Sequence, residues 1–207
     1  MINSTSITIA RKKTSDLNTT TPKSNGAPSV LQDLLNGVSR KIDGLYIHVP
    51  FCFHKCHYCD FYSIVDGPAE NAANHQPARE ALFVDRLIEE LQHRATQIEL
   101  HPRTIFVGGG TPTLLAADLW RRLLGKLNEL GVRQRLTEWT VEANPETVTA
   151  EMAEVLAAGG VNRVSLGAQS FQPQLLKVLE RWHEPANVAR AVRHLRAAGI
   201  RSEEHTV

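Results

Sequence analysis

The sequence predicts an α/β fold in which short strands alternate with helices around a parallel sheet. From residue 45 onward, runs of β-branched and aromatic residues alternate with segments of helical periodicity. The polar and glycine-rich motifs follow the ends of the strand-like runs, and in such a fold the loops at the carboxyl ends of parallel strands open on one face. We therefore expect these motifs to converge on a single site.

Four strands and four helices account for most of this pattern. The predicted strands span residues 45–49, 104–107, 139–142 and 163–166. Apolar residues at helical spacing predict helices on four faces: Val84, Leu87, Ile88 and Leu91; Trp120, Leu123, Leu124 and Leu127; Met152, Val155 and Leu156; and Val188, Ala191, Val192 and Leu195. Thr149 is the predicted cap of the third helix, and glycines end the third and fourth helices.

The first 43 residues differ in composition from the rest of the chain. They are rich in Ser, Thr, Asn, Lys and Pro and have little apolar periodicity. We therefore predict a disordered extension over residues 1–43 and a folded core domain over residues 44–207. A transit peptide is the alternative for this basic segment, but Asp16 and the weak amphipathicity disfavour it.

Composition excludes several classes of function. A formal net charge of +1 leaves no broad positive surface for nucleic acid. No apolar run is long enough to span a membrane, and the first thirty residues lack the apolar core of a secretory signal. These features predict a cytoplasmic protein, and 207 residues with 42% hydrophobic content are enough for one substantial core.

The three cysteines of the chain, Cys52, Cys56 and Cys59, fall within one eight-residue window. A disulfide would leave an odd thiol, and such close spacing in a protein that is not secreted indicates metal binding. Three thiolates in a tight loop can hold three irons of a [4Fe–4S] cluster. The fourth iron is then open to the amino and carboxylate groups of S-adenosylmethionine (SAM).

A Cys3His zinc site is the alternative for the same segment, with His54 or His57 as the fourth ligand. Structural zinc sites, however, usually take their ligand pairs from two separated places in the chain. Here all three cysteines are local, and both histidines lie between them. The sequence favours the iron–sulfur cluster and leaves zinc as a second possibility.

Further candidate binding residues follow the other predicted strands. Gly108-Gly109-Gly110-Thr111 allows close approach of a ligand to exposed backbone N–H and C=O groups, although a simple strand-to-helix turn is the alternative. Glu142 would either bind a ribose or an ammonium group or lie at a solvated strand end. Gln169 offers a side-chain amide, while Arg181 would ordinarily be an exposed charge at a helix end.

Together these motifs resemble the radical SAM family of oxygen-independent coproporphyrinogen III dehydrogenases and HemW-like heme chaperones. The resemblance covers roughly residues 45 to 201. It rests on Tyr46-x-His48-x-Pro50-x-Cys52, the cysteine triad, GGGTP, VEANP, GAQSF and Arg181-Trp182-His183. It implies a partial (β/α)6 barrel of the TIM-like radical SAM type, with the cluster at its top.

The resemblance also implies a set of cofactor contacts, while a catalytic residue stays unassigned. Cys52, Cys56 and Cys59 match the cluster ligands of the family. The positions that match contacts to the cluster-bound SAM are Tyr46, Gly109 and Glu142. The dehydrogenase binds a second SAM, and the matching positions here are Tyr58, Gly110, Thr111, Gln169 and Arg181.

One departure distinguishes the two branches of the family. The dehydrogenase carries a fourth cysteine two residues after the third, and this chain has Phe61 there. The resemblance therefore implies a chaperone that binds heme and passes it to acceptor proteins. The alternative is an enzyme that oxidatively decarboxylates the propionates of coproporphyrinogen III with SAM and a reduced electron donor.

The resemblance implies a barrel truncated after about four β/α units. Residues 203–205 are polar where the family enters an apolar, Asp-containing fifth strand, so we expect that strand to be missing. An open barrel would leave an exposed sheet edge and an incompletely filled core, and we expect marginal stability.

Overall fold

A computed structural model describes residues 7–10, 42–66, 77–181 and 183–206 of the protein. The strands in these ranges are β1 Ile7–Ala10, β2 Gly44–Val49, β3 Phe51–Cys52, β4 Ile64–Val65, β5 Thr104–Gly109, β6 Glu138–Ala143, β7 Arg163–Gln169 and β8 Arg201–Thr206. The helices there are α1 Pro77–Ala95, α2 Ala117–Glu129, α3 Ala150–Gly159, α4 Pro173–Val178 and α5 Pro185–Ala197. None of these helices is both long and apolar enough to cross a membrane.

The main sheet has six strands in the order β1-β2-β5-β6-β7-β8. Within this sheet, β2, β5, β6, β7 and β8 run parallel, and helices connect each of these strands to the next. The predicted α/β class and all four predicted strands are confirmed, with boundaries that differ by up to three residues. The fold is a partial β/α barrel, as the resemblance implies.

The structure corrects the expectation that residues 1–43 are disordered throughout. Ile7–Ala10 forms β1, which pairs antiparallel with β2 in the register Ile7 to Ile47. Ile7 is buried in the core, which an apolar residue in a polar segment can achieve once a strand edge is available. Residues 1–6 and 11–41, including the transit-peptide alternative, lie outside the described residues.

The expectation that the fifth parallel strand is missing is also wrong. Arg201–Thr206 forms β8, which pairs parallel with β7. Its charged side chains are accommodated by ion pairs between Arg163 and Glu203 and between Arg201 and Glu138. Strand pairing uses backbone groups, so a polar composition does not prevent it at a sheet edge.

The helices cover one face of the sheet and form the core with it. The apolar residues that define the predicted helical faces are buried, except that Ile88 and Val192 are partly exposed. Thr149 accepts a hydrogen bond from the amide of Met152 at 3.0 Å, as predicted for the cap of α3. Gly160, with φ +104°, ends that helix in the left-handed conformation.

The opposite face of the sheet carries partly buried polar residues. Because side chains alternate along a strand, Leu45, Ile47 and Val49 point to the helices while Tyr46 and His48 point to the other face. The carboxyl ends of β2, β5, β6 and β7 therefore bring their polar residues together, as expected from the sequence.

The glycine loop after β5 packs directly on the residues that lead into the cysteine segment. The amide of Gly110 donates to the carbonyl oxygen of Val49 at 2.8 Å, and the amide of Thr111 donates to that of Phe51 at 2.7 Å. A Cβ atom at position 110 would collide with the backbone carbonyl of Phe51. Gly110 is therefore required for this close approach.

A buried carboxyl group lies near the start of α1. Glu80 is 3% exposed, and its Oε1 atom has no hydrogen-bond partner among the described residues. Burial, together with the negative charges of Asp66 and Asp118, raises its pKa to about 7. At neutral pH this side chain is therefore close to half protonated.

We predict that Gly110→Ala disrupts the junction between the glycine loop and the cysteine segment. Because the colliding atom is backbone, the expected loss is about 1–3 kcal/mol of unfolding free energy. Urea unfolding measures it. Gly125→Ala within α2 is the matched control, since a Cβ atom there meets nothing within 4 Å and a helical alanine should stabilise. Equal stability of the two variants would contradict the prediction.

We predict that Glu80 makes the protein less stable as pH rises. Its pKa lies above the ordinary value of 4.5, so its contribution is fully present below pH 4.5 and is lost as pH approaches about 7. The loss is roughly 3 kcal/mol. In Glu80→Gln, the unfolding free energy should depend less on pH over this range. Glu89→Gln, at an exposed position of α1, should leave the pH dependence unchanged.

Candidate active site

A cavity of about 770 Å³ opens at the carboxyl ends of the parallel strands. Of the sequence-predicted site residues, all but Tyr46 line it: Cys52, Cys56, Tyr58, Cys59, Gly109, Gly110, Thr111, Glu142, Gln169 and Arg181. They come from five separate segments of the chain, so the predicted convergence of the motifs is confirmed.

Two short parallel strands anchor the cysteine segment. β3 contains Cys52 and pairs with β4, and the amide of Asp66 donates to the carbonyl oxygen of Cys52 at 2.8 Å. The amide of Cys59 donates to the carbonyl oxygen of Cys56 at 3.1 Å, which tightens the segment between them. All three cysteines are free thiols and are partly exposed to the cavity.

The donor set of this segment fits an iron–sulfur cluster. Burial raises the pKa of Cys52, with smaller increases from Cys59 and Cys56, while the hydroxyls of Thr111 and Ser63 lower it. A bound cation offsets the free-energy cost of ionising this buried thiol, because metal-bound thiols are deprotonated. Thiolate is also the ligand that iron–sulfur clusters use.

The histidines of the zinc alternative contact a carboxylate instead. His54 Nε2 lies 3.2 Å from Glu180 Oε2, and His57 Nδ1 lies 3.4 Å from the same oxygen. Within the described ranges, no three His, Cys, Asp or Glu side chains form a ready group for a metal ion.

Glu142 places a carboxylate on the cavity wall at the end of β6. Its Oε2 accepts a hydrogen bond from the amide of Gly109 at 3.1 Å. Burial raises the pKa of Glu142, against smaller opposing effects of Gly109, His205 and His48. The side chain is thus partly desolvated and faces the cavity, which favours the binding alternative over a fully solvated strand end.

Arg181 brings a positive charge to the cavity wall beside Cys56. Its Nη1 atom lies 3.8 Å from Cys56 Sγ, and Nη2 donates to the carbonyl oxygen of Gly167 at 3.5 Å. Its Nε atom is buried without a hydrogen-bond partner in the described part of the chain. Arg181 is therefore not the exposed helix-end charge of the alternative interpretation, and its guanidinium contributes a positive charge to the cavity wall.

Tyr46 lies beside the cavity and does not line it. Its hydroxyl donates to His48 Nδ1 at 3.0 Å, and His48 Nε2 donates to the carbonyl oxygen of Tyr62 at 2.9 Å. Burial raises the pKa of Tyr46, and the negative charge of Glu142 raises it further. Tyr46 therefore belongs to a series of hydrogen bonds that supports the end of the cysteine segment.

The glycine loop differs from its expected role in one respect. The amides of Gly109, Gly110 and Thr111 all donate within the protein, to Glu142, Val49 and Phe51. The expectation of free N–H groups is therefore wrong for these three residues, while contact of a ligand with the C=O groups of the loop stays a prediction. The loop shapes the cavity wall and orients Glu142, because the N–H groups of the loop already donate hydrogen bonds within the protein.

Sequence reasoning missed Glu180 as a residue of the site. It lines the cavity and contacts both histidines, and these hydrogen bonds, first from His54 and then from His57, lower its pKa. No sequence pattern predicts this role, because the contact joins residues 126 positions apart.

Of the Arg181-Trp182-His183 motif, His183 is buried, and its Nε2 donates to the carbonyl oxygen of Ala168 at 2.8 Å. Trp182 lies outside the described residues.

Curated relatives of this chain are described as heme chaperone HemW. The protein from Lactococcus lactis subsp. lactis is 40% identical over 78% of this chain and 39% of its own length. The protein from Escherichia coli is 38% identical over 76% of this chain and 40% of its own length. The chain thus spans about two fifths of these relatives.

Solved structures give the same picture. Coproporphyrinogen III oxidase (HemN) of Escherichia coli, described as a radical SAM enzyme, superposes with a TM-score of 0.65 at 26% identity, over 78% of this chain and 36% of that one. The radical SAM methyltransferase TsrM of Kitasatospora setae has a TM-score of 0.53 at 19% identity, over 78% and 30% of the two chains, which shows the fold alone.

A family model confirms the resemblance that the motifs indicate. The model of the radical SAM superfamily matches residues 46–207, which begins at Tyr46 and includes every residue on the cavity wall. By this match, and by the cysteine triad at the top of its partial barrel, the chain belongs to the radical SAM superfamily.

Proposed function

We propose that this chain is the cluster- and SAM-binding part of a HemW-like heme chaperone, which binds heme and transfers it to acceptor proteins. The observation that carries the proposal is the convergence of three free thiols, a carboxylate and a guanidinium on one cavity. The similarity to HemW proteins at 34–40% identity supports the chaperone branch.

The residues present on the wall suit the two cofactors. Cys52, Cys56 and Cys59 would hold the [4Fe–4S] cluster, which supplies the open iron and the electron for SAM chemistry when bound. Glu142 offers an acceptor for hydroxyl or ammonium groups, and the guanidinium of Arg181 offers a positive charge for an anionic group. The amide of Gly109 holds Glu142 in position, and the hydroxyl of Tyr46 supports the end of the cysteine segment through His48.

Phe61 is the residue that favours the chaperone over coproporphyrinogen III dehydrogenase in this proposal. It is 63% exposed at the rim of the cavity, at the position where the dehydrogenase carries a fourth cysteine. A phenyl ring supplies apolar contact area for a macrocycle and cannot ligate iron. Coproporphyrinogen III dehydrogenation is the second candidate, supported by the similarity to HemN and by Gln169 and Arg181 on the wall.

The proposed partners follow from this function. Heme or a porphyrinogen is the ligand, proteins that accept heme are the macromolecular partners, and a reduced electron donor serves the cluster. We place this activity in the cytoplasm, where thiols stay reduced and the cysteine triad remains available for iron.

We predict that anaerobic reconstitution with iron and sulfide gives a [4Fe–4S] cluster. Electron paramagnetic resonance of the reduced protein should change on addition of SAM, because the fourth iron has no cysteine from this triad. Cys56→Ala should abolish the cluster signal. Stoichiometric zinc without such a signal, or a cluster that survives in Cys56→Ala, would contradict the ligand assignment.

We predict that the purified protein retains one equivalent of added heme and releases it to an apo heme protein. Absorbance of the Soret band measures both steps. The competing outcome is conversion of coproporphyrinogen III to protoporphyrinogen IX in the presence of SAM and reductant, without stable heme binding. That outcome would replace the chaperone with the dehydrogenase.

A further inference from the structure

Glu180 has a backbone conformation that its residue type does not favour. It follows the short helix α4, and its φ of +53° lies in the left-handed region. The amide of Glu180 donates to the carbonyl oxygen of Lys177 at 3.1 Å, and that of Arg181 donates to Leu176 at 2.8 Å, so the helix end holds the residue in this conformation. Glycine is the usual residue at such a position.

The side chain of Glu180 reaches across the cavity mouth to the cysteine segment. Its Oε2 atom lies 3.2 Å from His54 Nε2 and 3.4 Å from His57 Nδ1. A neutral imidazole donates from one ring nitrogen and a protonated one from both, so either contact forms without protonation of the ring. The neighbouring Arg181 contacts Cys56 at 3.8 Å.

These contacts act on the part of the cysteine segment that lies between its two anchoring strands, β3 and β4. Between β3 and β4 the segment has no helix or strand, and the backbone bond from Cys59 to Cys56 is internal to it. Exposed ion pairs contribute little to global stability. They do affect local opening of a loop that lies outside the helices and strands, and local opening is independent of unfolding of the barrel.

We propose that Glu180 is a positioning residue that fastens the cysteine segment to the end of α4 through His54 and His57. The strained backbone directs the carboxylate toward the segment, and the two histidines between the cysteines donate hydrogen bonds to it. The segment is thereby held over the cavity before any cluster binds. The inference rests on the proposed function only for the identity of the group that the segment holds.

Hydrogen exchange of the full chain without cluster tests the proposal. In Glu180→Gly, amides of residues 53–60 should exchange roughly two- to tenfold faster, while the thermal midpoint stays equal or rises because glycine removes the strain. Glu184→Gly is the matched control, since it places glycine in the same connection at an ordinary φ of −87°. It should leave exchange of residues 53–60 unchanged.

A second measurement separates this role from a general structural one. In protein that has taken up the cluster, Glu180→Gly should speed loss of iron to a chelator by a similar factor. In a His54→Ala/His57→Ala background, Glu180→Gly should add little further exchange, because its partners are already absent. Faster exchange throughout the barrel, unchanged exchange of residues 53–60, or a full effect without the histidines would each overturn the proposal. Failure of the wild-type protein to take up any cluster would instead count against the proposed function.

Discussion

The geometry of the site depends on the contact between the glycine loop and the chain that enters the cysteine segment. Backbone hydrogen bonds from Gly110 to Val49 and from Thr111 to Phe51 join the ends of two neighbouring parallel strands. Cys52 follows Phe51 directly, so this contact sets the height of the first thiol above the sheet. The same loop orients Glu142 through the amide of Gly109, so one backbone junction positions two walls of the cavity.

Groups of opposite charge then share one partly desolvated cavity. Burial disfavours the charged forms of Glu142 and Cys52, and Arg181 adds a positive charge 3.8 Å from the sulfur of Cys56. Charges that are neither paired nor fully solvated are costly unless a ligand or metal completes them. A zwitterionic cofactor beside a metal cluster provides both signs of charge, which is why this wall suits the proposed function.

The remainder of the barrel supports the cavity without entering it. The helices bury the apolar face of the sheet, while the other face carries polar residues that pair among themselves toward the amino ends of the strands. Arg163 contacts Glu138 at 3.4 Å and Thr140 at 3.1 Å, and it also pairs with Glu203 on β8. These pairs give Arg163 two acidic partners below the cavity and leave the carboxyl ends of the strands available for ligands.

Residues that act through local chemistry could be identified from the sequence alone. The spacing of Cys52, Cys56 and Cys59 indicated the metal segment, periodicity indicated the helices, and strand ends indicated where Glu142 and Gln169 would meet. Local patterns are sufficient for such features because side-chain period, capping and ligand spacing depend on neighbours in the chain.

Features that depend on long-range contacts were decided only by the tertiary structure. The pairing of Ile7 with Ile47, the β8 strand of polar residues and the consumption of the glycine amides each require a partner that no local pattern specifies. Glu180 is the clearest case, because its role arises from a left-handed backbone and two histidines that lie far away in the chain. The sequence by itself determined the class of fold and the residue types that converge on the cavity, whereas the fold decided which donors are used within the protein.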